Sequence, residues 1–242
     1  MKFLILGAGG IGSYFGARLI NAGHEVVFIT RGKQYEALQH QPLKLQHPEF
    51  IFEEKIYVLH NFEKITTSLE YFDVVLLATK STSTKELSIE LKKCFDNCKT
   101  KTPYIVSLQN GVENEEILSN YLNNFFIIGG LTRKIGSHIV SPSIIHSTGN
   151  AETILGAISK NSLNEEFLEN LTQVFNEAKI PTTISENIQL ELWKKLVINN
   201  GAVTEYPKGV KVSFDKTFHA DQEHYDVLYF ASHILSGLTV YL

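Results

Sequence analysis

The stretch that decides the fold is Phe3-Leu4-Ile5-Leu6-Gly7-Ala8-Gly9-Gly10-Ile11-Gly12, followed by a helical pattern to Ala22 and then Val26-Val27-Phe28-Ile29. The two apolar runs have strand length, and between them Ile11, Phe15, Leu19 and Ala22 recur at helical spacing until Gly23 stops the helix. Gly7, Gly9 and Gly12 thus lie where a strand turns into a helix, the context that gives G-x-G-x-x-G its meaning as a dinucleotide loop. The first glycine permits the turn, the second admits a pyrophosphate to the backbone, and the third lets helix and strand pack closely. Unpaired N–H groups and the positive end of the helix dipole then face the phosphates. Gly7, Ala8, Gly9, Gly10, Ile11 and Gly12 are therefore candidate cofactor residues. The plainer alternative is a glycine turn that binds nothing, and the flanking strands weigh against it.

The end of the second strand decides which dinucleotide is expected. A site for NAD places Asp or Glu there to accept from the ribose 2′-OH. This chain has Ile29-Thr30-Arg31-Gly32 and no acid until Glu36. An arginine suits a 2′-phosphate, and Thr30 can add a hydroxyl, so NADP is favoured; a solvated loop cation is the competing reading of Arg31.

Farther along, Val74-Val75-Leu76-Leu77-Ala78 is uniformly apolar, as a strand buried on both faces must be. A polar helix over 84–97, a strand over 104–108, a helix over 113–122 and a strand over 125–128 continue the alternation. The fold class expected is α/β, a Rossmann-type doubly wound parallel sheet. After Gly129, short antiparallel strands are expected at 139–140, 144–145 and 153–155, then a helix over 165–178, a strand over 182–184 and a helix over 186–203. Beyond lie a turn at 206–209, one helix near 221–236 and the segment 238–242. The domains expected are 1–185, binding NADP, and 186–242, a shortened, incomplete helical domain.

Composition agrees with this class. The 242 residues are 43% hydrophobic and 20% charged, with net charge −4, which gives no basic field for nucleic acid or anionic lipid. No apolar run approaches the ~18–20 residues of a membrane span, and the N-terminus reads as a strand, not a signal peptide, so a cytoplasmic protein is expected. Cys94 and Cys98 form no disulfide framework or zinc pattern. His219, Asp221, Glu223 and His224 lack a recognised ligand spacing, so no metal is expected.

Lys80 and Asn110 follow the strands at 74–78 and 104–108, on the edge where open α/β sheets bind ligands. Both also read as ordinary loop residues. Lys195 and Asn199 share one face of the 186–203 helix. A lysine whose pKa is lowered by burial can protonate a carbonyl oxygen as hydride reaches the carbon, although lysines on amphipathic helices are usually solvated. His146 reads as a sheet residue satisfied by a neighbour, and the charges of 85–101 as a solvated face.

Taken together, these residues resemble the ketopantoate reductase (2-dehydropantoate 2-reductase) family. The matching pieces are the glycine loop, Thr30-Arg31, Leu77-Ala78-Thr79-Lys80, Gln109-Asn110-Gly111-Val112-Glu113, Gly130-Leu131-Thr132, residues 142–146 with Gly149, and Glu191-Leu192-Trp193-Lys194-Lys195-Leu196 with Asn199. The resemblance implies an NADP-dependent oxidoreductase that reduces 2-dehydropantoate to pantoate on the route to pantothenate and coenzyme A. It implies that Arg31 holds the 2′-phosphate, that Lys80 and Asn110 contact cofactor and substrate near the nicotinamide, and that the backbone near Ile135 lines the same pocket. It further implies that Lys195 is the proton donor and that Asn199 binds the small 2-oxo-acid substrate.

The match covers about residues 1–200. The family usually carries another asparagine four residues beyond Asn199, where this chain has Val203, and 209–242 offers no counterpart of the family's later substrate-binding serine and glutamate. A truncated or frame-shifted tail, a catalytically impaired NADP-binding paralogue, and a reductase of another small 2-oxo acid are the alternatives. Apolar faces of the 186–203 helix exposed by a short helical domain favour self-association, for which a homodimer is the candidate, or poor solubility.

Overall fold

A computed structural model of the chain describes residues 1–203. The turn expected at 206–209, the helix at 221–236, the segment 238–242 and the His219, Asp221, Glu223, His224 group lie outside the described residues. In chain order the elements are β1 (Lys2–Leu6), α1 (Gly10–Asn21), β2 (Glu25–Ile29), α2 (Gly32–His40), β3 (Leu43–His47), β4 (Phe50–Glu54), β5 (Tyr57–Leu59), β6 (Val74–Leu77), α3 (Thr84–Phe95), β7 (Tyr104–Ser107) and α4 (Asn114–Ser119). They continue with β8 (Ile127–Arg133), β9 (Gly136–Ser141), β10 (Ile144–Thr148), β11 (Glu152–Ala157), α5 (Ser162–Glu177), β12 (Thr182–Ile184) and α6 (Ile188–Val203). The chain forms a first compact unit, Met1–Ile188, and a second that begins at Gln189. Among the described residues no helix is long and apolar enough to cross a membrane.

The main sheet has eight strands in the order β12-β11-β8-β7-β6-β1-β2-β5. The pairs β1–β2, β1–β6, β6–β7, β7–β8 and β2–β5 are parallel, and only β8–β11 is antiparallel. Period-2 alternation along these strands feeds two cores. Leu4, Leu6, Val75, Leu77, Ile105 and Ile127 face α3 and α4 through Leu87, Leu91 and Leu118. Phe3, Ile5, Val74, Leu76, Val106 and Ile128 face α1 and α5 through Phe15, Leu19, Leu171 and Phe175. With helices packed on both faces, the doubly wound arrangement holds.

Residues 32–59 carry no element in the sequence reading, yet they form α2, β3, β4 and β5. β3 and β4 join β9 and β10 in a separate four-stranded sheet, order β4-β3-β10-β9. Its inner residues Leu43, Leu45, Phe52 and Ile145 are buried in the same core as α1. Arg18 of α1 clamps the β3–β4 turn, pairing with Glu49 at 3.0 Å while its guanidinium lies 3.8 Å over the Phe50 ring. The expected strand at 125–128 begins instead at Ile127, after a single 3-10 turn over Asn124–Phe126. Of the short strands expected after Gly129, β9 and β10 pair with each other in the small sheet, whereas β11 extends the main one.

Candidate functional site

The sheet order reverses beside β1, with β2 on one side and β6 on the other. Open α/β sheets bind ligands at such a switch point, beyond the carboxyl ends of the strands. The glycine loop leaves β1 there. Its turn is fixed by Gly7 N–H donating to the Ile29 carbonyl at 2.8 Å and Ala78 N–H donating to the Leu6 carbonyl at 2.9 Å. A Cβ on Gly12 would lie 1.9 Å from the Gly7 carbonyl oxygen, so α1 approaches the end of β1 as closely as only glycine allows. A Cβ on Gly9 would meet nothing within 4 Å, so its backbone borders open space, as a pyrophosphate cradle needs. Gly10 is different, because a Cβ there would stand 2.2 Å from the Ser137 carbonyl oxygen. β9 of the small sheet therefore lies directly on the loop.

Gln34 of α2 braces the same loop, a role the sequence reading did not assign. Its buried amide donates to the Ala8 carbonyl at 2.9 Å and accepts from Ser143 N–H at 3.0 Å. Ile11, on the first turn of α1, packs partly buried against the core. Thr30 is buried at the end of β2, where its N–H donates to the Leu59 carbonyl. Arg31 next to it is exposed, stands at the N-cap position of α2 without a side-chain capping bond, and bonds through Nη1 to Glu86 Oε1 of α3 at 3.1 Å.

Lys80 and Asn110 both end exposed on the edge carrying the glycine loop, beyond the adjacent strands β6 and β7. A buried polar network ties their two loops together. Gln109 Nε2 donates toward Thr79 Oγ1 and the Lys80 carbonyl at 3.1 and 3.2 Å. Asn114 Nδ2 donates to the Asn110 carbonyl at 3.1 Å. Between them, the Thr84 hydroxyl stands 2.8 Å from the Ser81 carbonyl, 3.1 Å from Gln109 Oε1 and 2.9 Å from Asn114 Oδ1. One hydroxyl proton serves these three oxygens in turn. Gln109 immediately precedes Asn110, but nothing in its spacing announces that it is 2% exposed and ties the Lys80 loop.

Glu115 was also missed, since beside Glu113 and Glu116 it reads as one more solvated acid. It is 1% exposed, and neither its oxygens nor the Ser107 hydroxyl finds a partner at hydrogen-bond geometry. Burial pushes its carboxyl up to about 7, against a smaller downward pull from its backbone N–H and the nearby Ser107 hydroxyl. Ile135 lies in the β8–β9 loop, partly buried against the core that holds α1.

In the second unit, α6 carries the two adjacent lysines. Lys194 reaches back to Glu191 at 3.2 Å along the helix, whereas burial lowers the pKa of Lys195. Asn199 stands one turn farther on the same helix, and its side chain lies outside the described residues. His146 is exposed and faces His138 with ring centroids 5.6 Å apart. Among the described residues no group of three or more His, Cys, Asp or Glu could hold a metal ion. Burial raises Cys94 to about 11 and also raises Cys98, which leaves both thiols protonated and poorly nucleophilic.

A glycine loop at the switch point of a doubly wound sheet places the chain among the Rossmann-type α/β proteins. The family model for ketopantoate reductase PanE/ApbA matches residues 3–160, and the chain belongs to that family. A 2-dehydropantoate 2-reductase of Pyrococcus abyssi is 36% identical over 202 residues, 83% of this chain and 61% of the relative. One from Pyrococcus horikoshii is 32% identical, over 86% of this chain and 66% of the relative. The crystal structure of a PanE/ApbA family ketopantoate reductase from Ralstonia eutropha superposes with a TM-score of 0.69 at 29% identity, over 82% of this chain and 61% of that one. The chain thus spans less than two thirds of the length of these relatives.

Proposed function

We propose that the chain binds NADP(H) at the β1–α1 loop and reduces a small 2-oxo acid, 2-dehydropantoate, to pantoate, the step that leads toward pantothenate and coenzyme A. The observation that carries this reading is the arrangement of the glycine loop, Thr30-Arg31, Lys80 and Asn110 at the carboxyl ends of the neighbouring strands β2, β1, β6 and β7 in a chain of this family. The open space at Gly9 and the first N–H groups of α1 fit a pyrophosphate, and Arg31 fits a 2′-phosphate. The residues assigned to the cofactor are Gly7, Ala8, Gly9, Gly10, Ile11, Gly12, Thr30, Arg31, Lys80, Asn110 and Ile135.

When bound, the nicotinamide supplies hydride to the C2 carbonyl carbon. Lys195 donates the proton that the resulting alkoxide takes up. Burial, by lowering its pKa, makes its ammonium a readier acid. Lys194 is held in an ion pair with Glu191. Asn110 and Asn199 orient the substrate. The same reading carries a cytoplasmic location and a homodimeric assembly.

The test mixes purified protein with NADPH and 2-dehydropantoate and follows loss of the reduced nicotinamide absorbance. Turnover that Lys195→Ala abolishes and Lys194→Ala preserves supports the reading. Tight NADPH binding with no turnover on 2-dehydropantoate or any other 2-oxo acid overturns it, in favour of a nucleotide-binding protein.

A further inference from the structure

No acid follows β2 closely in the sequence, but one stands beside Arg31 in the fold. Glu86, in the first turn of α3, brings its carboxylate to within 3.1 Å of the Arg31 guanidinium, across 55 residues of sequence. The two side chains are 54% and 62% exposed, and an ion pair so open to solvent is weak. Glu86 also suits its own helix, because a carboxylate in a first turn complements the dipole. The pair therefore breaks easily when a stronger anion arrives, but the carboxylate stays close to the place Arg31 serves.

We propose that Glu86 is a selectivity-determining residue of the adenosine subsite, weakening NADP(H) relative to NAD(H). The inference rests on the cofactor reading above. A 2′-phosphate engaging Arg31 has to displace the Glu86 carboxylate and then remain within a few ångströms of it, like charge facing like. A ribose 2′-OH meets no such repulsion and finds in Glu86 the acceptor that the end of β2 lacks. A carboxylate about 6 Å from a phosphate dianion in water-like dielectric, screened by physiological salt, costs on the order of a three- to ten-fold loss of affinity.

The experiment uses the full chain and two fragments that lack the nicotinamide, adenosine 2′,5′-bisphosphate and adenosine 5′-monophosphate, titrated by calorimetry. Glu86→Gln keeps the length of the side chain and removes its charge. It is expected to tighten the bisphosphate roughly three- to ten-fold and to leave the monophosphate unchanged or slightly weaker. An unchanged ratio of the two affinities, or a bisphosphate that binds more weakly, overturns the proposal. Arg31→Ala separates this from the reading beneath it. If Arg31→Ala removes the bisphosphate preference while Glu86→Gln changes nothing, Glu86 has no such role and the cofactor reading stands. If Arg31→Ala leaves the ratio untouched, the assignment of Arg31 fails and the proposal falls with it.

Discussion

Replacing Glu115 by glutamine probes the cost of a buried carboxyl. The carboxyl is 1% exposed, has no hydrogen-bond partner, and is pushed by burial from an ordinary 4.5 up to about 7. A folded-state pKa raised in this way means that the folded chain holds its proton more tightly than the unfolded one. The stability tied to that proton is fully present below about pH 4.5 and is lost as pH rises through about 7. The loss amounts to about 3 kcal/mol once both states are ionised. Glutamine mimics the protonated acid in shape and carries no charge. Wild-type and Glu115→Gln proteins should therefore have similar stability at pH 4.5, and the variant should be the more stable by about 3 kcal/mol at pH 8.5. Urea denaturation followed by circular dichroism across this range gives the difference curve, in which titrations common to both proteins cancel. Parallel profiles from pH 4.5 to 8.5, or a variant that loses ground as pH rises, would refute the reasoning.

Two further outcomes follow from packing and hydrogen bonding. Gly12→Ala forces a methyl group to within 1.9 Å of the Gly7 carbonyl oxygen, so α1 must shift. It should destabilise the first unit by about 1–3 kcal/mol and weaken NADP(H) binding beyond that loss, measured by denaturation and by titration. Thr84→Val leaves Gln109 Oε1 and Asn114 Oδ1 without the proton they share with Ser81. It should cost about 1–3 kcal/mol in denaturation, and Thr84→Ser should recover most of it.

What the sequence reveals depends on whether a residue's environment is local. Val74 through Leu77 announce a central strand because both faces are buried and all four residues are apolar. The glycine loop is legible because its constraint lies within a dozen residues. The β3–β4 half of the small sheet is not legible in the sequence, since Leu43, Leu45 and His47 face inward between Lys44 and Gln46 in only five residues. A histidine on the buried side blurs the alternation, and its ring bonds to the Gly149 carbonyl 102 positions away. Gln34, Glu115 and Thr84 are polar side chains buried by tertiary contact, which no period in the sequence marks. Of the candidate site, the loop, Arg31, Lys80 and Asn110 were read from strand ends, whereas the partner of Arg31 was not. Glu86 looked like part of a solvated helix face, and 55 residues of chain separate the two.

The contact between Gly10 and Ser137 has a consequence for anyone seeking a minimal module. A Rossmann half is commonly pictured as strands and helices that could be trimmed to their nucleotide-binding kernel. Here the outer wall of the loop belongs to β9, more than a hundred residues downstream, and is held by the Gln34 amide that bridges Ala8 and Ser143. Excision of the β9–β10 hairpin would leave the glycine sequence intact and strip away the backbone against which it is seated. A nucleotide-binding piece of this chain that keeps the loop seated should therefore extend at least through β10.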